Sequence, residues 1–99
     1  MITSAKSVMT EPLSVTRFRE YLRIETVQPE PDYKGAKNFL EKYAEEIGLE
    51  IDHCATVPDK KWVHIMTLKG QDSSKKSILL NSHIDVVPVY PEYRAYVIK

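Results

Sequence analysis

The stretch Ser77–Val89, SILLNSHIDVVPV, restricts what this chain can fold into more than any other. Its apolar run Ile78-Leu79-Leu80 has the length of a strand buried on both faces, because a strand covered above and below has no reason to alternate. Within a few residues the character changes to Asn81, Ser82, His83 and Asp85, and Pro88 then stops any regular ladder. Ionisable groups at the end of a buried strand are what an open α/β sheet presents to a ligand crevice. His83 and Asp85 are separated by one residue, so an extended backbone sends both side chains to the same face. A metal-binding imidazole is usually oriented by a nearby carboxylate or carbonyl, which makes His83 a candidate ligand and Asp85 its candidate partner. The plainer alternative is a polar strand end with an ordinary, satisfied histidine.

The rest of the chain is read around this strand. Ser14 suits a helix N-cap, and Val15, Phe18 and Leu22 follow one stripe that Tyr21 widens, while Arg17, Glu20 and Arg23 take the other face. The helix should end before Pro29, since residues preceding a proline are pushed out of the helical region. Thr26–Pro31 reads as an extended linker. Asp32 is placed to cap a second helix with the unbroken apolar face Ala36, Phe39, Leu40, Tyr43, Ala44 and Ile47, and Gly48 falls where a left-handed C-terminal cap belongs. Leu49–Ala55 alternates as a half-exposed strand, Pro58–Lys61 makes a turn, and Trp62–Lys69 returns antiparallel. Gly70–Lys76 is a polar loop before the central strand.

Two helices, an antiparallel strand pair and a buried strand make an α/β opening. A buried strand needs neighbours on both edges and cover on both faces, and YPEYRAYVIK after Val89 has no period able to supply them. The expected organisation is a loose lead-in over residues 1–13, part of an α/β domain over 14–90, and a divergent tail over 91–99.

Fourteen basic residues balance 14 acidic ones, so no charge excess points to nucleic acid or to a membrane surface. A single cysteine, Cys54, makes no internal disulfide, and without a basic or helix-terminal setting it reads as a small apolar filler. Residues 1–14 contain no signal-peptide core and no arginine, and no apolar run is long enough to span a bilayer, so a soluble cytoplasmic chain is expected. His53 and His64 lie in the expected strand pair and read as ordinary sheet residues. With only three glycines, neither a phosphate loop nor a nucleophile elbow is present.

With those residues in view, LLNSHIDVVPV resembles the first metal-binding motif of the zinc aminoacylase and carboxypeptidase family of metallopeptidases, an apolar strand followed by His-x-Asp-x-Val-Pro. The His-x-Asp motif alone does not separate the family's amidohydrolases from its dipeptidases and deacetylases. The resemblance leans to the aminoacylases because it also takes in SVTRFREYLRI (Ser14–Ile24), Thr26-Val27-Gln28-Pro29, Pro31-Asp32-Tyr33 and Gly48-Leu49. It implies a zinc-peptidase-like catalytic domain that hydrolyses an N-acyl-L-amino acid to a carboxylate and a free amino acid. It also implies Zn2+ as cofactor and a homodimer built through a lid domain.

At matched positions the resemblance makes His83 a zinc ligand and Asp85 the catalytic-site aspartate that holds its imidazole. In the family two zinc ions share a bridging aspartate and a water whose proton a glutamate takes. Ile84 departs from the threonine common at that position, with its side chain expected to point away from the metal. The tail departs further, since the family continues into a tryptophan-bearing segment and a second motif with the bridging aspartate. One protein ligand does not make a catalytic zinc site, which normally uses three and a water. The expectation is therefore that catalysis belongs to the full-length relative, with this chain inactive and holding Zn2+ weakly by itself. The competing expectation is a non-catalytic, truncated product that at most binds full-length subunits.

Overall fold

The computed structural model describes residues 11–96, with side chains as far as Tyr93. Its elements in chain order are helix α1 (Leu13–Leu22), helix α2 (Tyr33–Ile47), strands β1 (Glu50–Val57) and β2 (Lys61–Thr67), and a 3-10 helix Pro91–Tyr96. The first ten residues of the expected lead-in and the last three of the tail lie outside the described residues.

Helix α2 forms as its local sequence requires. The Asp32 carboxylate accepts the Gly35 N–H at 2.8 Å, satisfying one of the four orphan donors of the first turn. At the other end Gly48 turns left-handed with φ +79°, and its N–H and that of Leu49 close onto the last carbonyls. Ala36 and Ala44 are the buried apolar residues among those described, both on the helix face that the sequence marks as apolar.

Helix α1 departs from expectation in two ways. Ser14 is not its N-cap: Pro12 holds that position, with no side-chain cap bond, and Thr16 donates its hydroxyl to Glu11 at 2.7 Å instead. The helix stops at Leu22, before Pro29 as expected, and the chain bends through Arg23–Glu25. Its expected apolar stripe is not covered, since Phe18 and Leu22 are exposed. The face turned to α2 is set by Tyr21, whose ring lies 6.0 Å from that of Phe39, and by Arg17, read from sequence as a solvent-facing residue. The Arg17 guanidinium makes a two-pronged contact with Glu46, Nε to Oε2 at 2.8 Å and Nη2 to Oε1 at 2.9 Å. A planar fork matched to a carboxylate fixes orientation as well as distance, so this pair sets how α1 lies on α2.

The two strands pair antiparallel as the alternation predicts, with Ile51 opposite Met66, His53 opposite His64 and Ala55 opposite Trp62 on one face. Asp59 supplies the positive φ of the connecting turn. Helix α2 lies over that face, with Lys37 Nζ 5.7 Å from the centre of the Trp62 ring. On the opposite face Cys54, Val63 and Ile65 are exposed, so Cys54 does not fill a core.

The expected buried strand is not formed. Residues 75–85 have no regular structure, and Ile78, Leu79 and Leu80 are 88%, 85% and 90% exposed. The physical reason is the absence of cover: the described sheet has two strands, β1 and β2, and neither pairs with this segment. Apolar sequence creates a demand for burial, and the demand is met only where partners stand on both edges and faces. Among the described residues no helix is long and apolar enough to cross a membrane.

Candidate functional site

The site grows from an unexpected pairing. The Thr26–Gln28 segment, read as a free linker, forms a short parallel bridge with residues 84–86, Val27 facing Val86. Val86 donates its N–H to the Thr26 carbonyl at 3.0 Å, and Gln28 donates its own to the Val86 carbonyl at 2.9 Å. The Thr26 hydroxyl, in a residue only 7% exposed, donates to the Ile84 carbonyl at 2.9 Å. Three bonds therefore hold the backbone on either side of Asp85, and a fourth reaches the side chain itself. The Gln28 amide donates to Asp85 Oδ2 at 3.1 Å, while Asp32 N–H ties back to the Glu25 carbonyl, fixing the linker against the start of α2.

Held in this way, Asp85 orients His83. His83 Nδ1 lies 2.7 Å from the Asp85 carbonyl oxygen and 3.3 Å from Asp85 Oδ1. Both atoms are acceptors, so Nδ1 is the nitrogen placed to donate, and in the neutral ring that puts the lone pair on Nε2. The imidazole is 80% exposed, with Nε2 open to whatever approaches. The Gln28 amide, and then His83, hold the Asp85 carboxyl below the usual carboxylate range despite some desolvation, so it stays ionised at neutral pH. The expected meeting of His83 with Asp85 is present, with the backbone carbonyl closer to the ring than the carboxylate. Asn81 and Ser82 take no part in it; the Ser82 hydroxyl bonds the His83 carbonyl at 3.2 Å.

Gln28 and Thr26 were not singled out by chemistry-based reasoning. The signal that could have found them was the Thr-Val-Gln-Pro motif, whose Gln28 reaches Asp85 across 57 positions of sequence. Among the described residues no group of three or more His, Cys, Asp or Glu gathers as a metal cluster. A surface hollow between Glu20, Arg23, Ile24, Glu25, Glu30 and Asp32 includes neither His83 nor Asp85.

The other two histidines meet each other. His53 and His64 face across the strand pair with Nδ1 atoms 2.7 Å apart and rings nearly perpendicular. On the far side of the His53 ring, Glu41 Oε1 is 2.9 Å from Nε2 but off the line of the N–H, so the nitrogen has a charged neighbour without a hydrogen bond. Glu41 is itself bonded by Lys37 at 3.1 Å, which lowers its pKa. Burial, and then the His53 and Lys37 charges, push His64 below the ordinary imidazole range.

No family model matches the chain. Among curated proteins it is 49% identical to mouse aminoacylase-1 over 90 residues, which is 91% of this chain and 22% of that protein. It is 52% identical to pig aminoacylase-1 over 80 residues, 81% of this chain and 19% of the relative. Aminoacylase-1 of Dictyostelium discoideum shares 40% over 76 residues, 75% of this chain and 18% of the relative. By this likeness the chain is similar to the aminoacylases, and it spans about a fifth of the length of the curated relatives it matches.

Proposed function

We propose that this chain carries the first metal-binding motif of an N-acyl-L-amino-acid amidohydrolase, within part of a zinc-peptidase-like catalytic domain. His83 is the Zn2+ ligand and Asp85 the residue that orients it. One observation carries this reading: the His83 ring is held through Nδ1 by Asp85, with Nε2 facing outward, in a chain that resembles proteins named aminoacylase-1. An imidazole fixed through one nitrogen by a carbonyl or carboxylate is the form in which histidine usually binds a metal, so the pair fits one corner of a metal centre.

Zinc, when bound, supplies a water of lowered pKa and a positive charge for the developing oxyanion. The residues of this chain contribute the Nε2 lone pair of His83, the acceptors of Asp85 that keep its proton on Nδ1, and the Gln28 amide that holds Asp85 in place. The substrate class is an N-acyl-L-amino acid, cleaved to a carboxylate and a free L-amino acid. The reaction belongs to the full-length relatives, because a catalytic zinc takes three protein ligands and water. By itself the chain is inactive and holds Zn2+ weakly. The same reading takes the longer relatives as cytoplasmic homodimers without nucleic-acid or membrane partners.

The test is hydrolysis of N-acetyl-L-methionine by the purified chain with added Zn2+. No turnover above buffer is expected; turnover that disappears in His83→Ala would show a complete site and overturn the inactivity. A second reading, a non-catalytic chain that binds full-length subunits, draws on the exposed Ile78-Leu79-Leu80 run. Co-purification with a full-length relative that is lost on Leu79→Asp would favour it.

A further inference from the structure

We propose that His53 and His64 form a separate metal site, taking a divalent transition-metal ion of square-planar or octahedral preference, Ni2+ or Cu2+, between their two Nδ1 atoms. The pair is distinct from His83 and is assigned no role by the aminoacylase reading.

The strand register builds the site. His53 and His64 are direct partners across an antiparallel pair, so both side chains leave the same face at the closest spacing a sheet offers. Their Nδ1 atoms stand 2.7 Å apart, with the rings at 83° to one another. For metal–nitrogen bonds of about 2.0–2.1 Å, two ligands of one ion lie roughly 3.3 Å apart at a tetrahedral angle and roughly 2.9 Å apart at a right angle. The observed spacing is close to the second value, so a slight spreading of the rings admits an ion that takes adjacent ligands at 90°. Tetrahedral zinc requires a larger movement.

Glu41 completes the arrangement. A metal-bound imidazole usually gives its other N–H to a carboxylate. Glu41 Oε1 already stands 2.9 Å from His53 Nε2, a buried atom with no hydrogen bond of its own, and is anchored there by Lys37, so a small turn of the ring would give Glu41 the Nε2 proton to accept. With the His53 proton drawn to Nε2, its Nδ1 offers a lone pair. In that tautomer the Nδ1–Nδ1 contact of the metal-free chain has His64 donating to His53; when the ion enters, His64 carries its proton on Nε2 instead and both Nδ1 atoms ligate, with no net proton released. Among the described residues no third side chain joins the pair, so water fills the remaining positions.

The chain has three histidines, which makes the test decisive. Ni2+ is titrated calorimetrically into the untagged full chain near neutral pH. One-to-one binding is expected, weakened about tenfold or more by His53→Ala and by His64→Ala, weakened severalfold by Glu41→Gln, and kept in His83→Ala. Binding that survives both His53→Ala and His64→Ala, or that disappears in His83→Ala, overturns the proposal. Should an alanine variant fail to fold, the Cu2+ electron paramagnetic resonance spectrum of the His83→Ala chain decides. Hyperfine splitting from two ring nitrogens supports the site; splitting from one or none overturns it.

Discussion

At the scale of single residues, the sequence is most readable where the physics is local. Asp32 and Gly48 are caps in the structure as in the sequence, because each acts on backbone groups a few positions away. Asp32→Ala should cost about 1 kcal/mol of stability, read as a shift of the urea midpoint followed by far-ultraviolet circular dichroism. An ideal Cβ on Gly35 would overlap the Asp32 carboxylate, so Gly35→Ala should lose the same cap, and a midpoint equal to the parent's in both variants would contradict the assignment. Ser14 misled because capping preference says which residue types can cap, not where the helix axis begins. The contact that holds Asp85 was not legible from local chemistry, since Gln28 lies 57 positions away and only the fold brings it near. Gln28→Ala removes the first cause of the lowered Asp85 pKa, so a carboxyl NMR titration should show that pKa rising toward its ordinary value of 3.8. An unmoved titration would mean that Gln28 does not set the charge of the site.

At the scale of elements, α2 and the β1–β2 pair were legible from period and alternation, whereas the α1 stripe meets α2 only at its Tyr21 edge and leaves Phe18 and Leu22 exposed. A stripe of apolar residues predicts a buried face only if a neighbour covers it, and α2 meets α1 through Tyr21 and the Arg17–Glu46 pair instead. That pair carries a pH signature. The Arg17 contact holds Glu46 below its ordinary value of 4.5. A depressed folded-state pKa gives stabilisation that is fully present above the unfolded value and is lost as pH falls through the folded one. Acid unfolding below about pH 4.5 should therefore be shallower in Glu46→Gln than in the parent chain, and the difference should shrink at high salt because both groups are solvent-accessible. Identical acid limbs in the two proteins would remove the pair from the helix–helix contact. The run Ile78-Leu79-Leu80 failed for the same reason as the α1 stripe: its strand character depends on neighbours that the described residues do not supply.

At the scale of the whole molecule, the buried apolar residues among those described are two alanines, and no large side chain is fully buried. Burying one Leu, Ile or Phe side chain contributes about 1.5–3 kcal/mol, so a fold without such burial has little to offset its conformational entropy. The isolated chain should bind the dye ANS and unfold over a broad temperature range; a sharp transition without dye binding would mean that the exposed apolar residues are covered in solution. The candidate site is also a whole-molecule matter, because His83 and Asp85 were legible as a pair, yet among the described residues no group of three or more His, Cys, Asp or Glu gathers as a metal cluster. The most direct measurement is the rate of N-acetyl-L-methionine hydrolysis by mouse aminoacylase-1 whose matched segment of 90 residues is replaced by this chain's. The chimera should be active with zinc and should lose activity by roughly a thousandfold or more on His83→Ala, as removal of a catalytic metal's ligand requires. A folded chimera that hydrolyses the substrate equally well with and without His83 would contradict the metal-ligand role on which the functional reading rests.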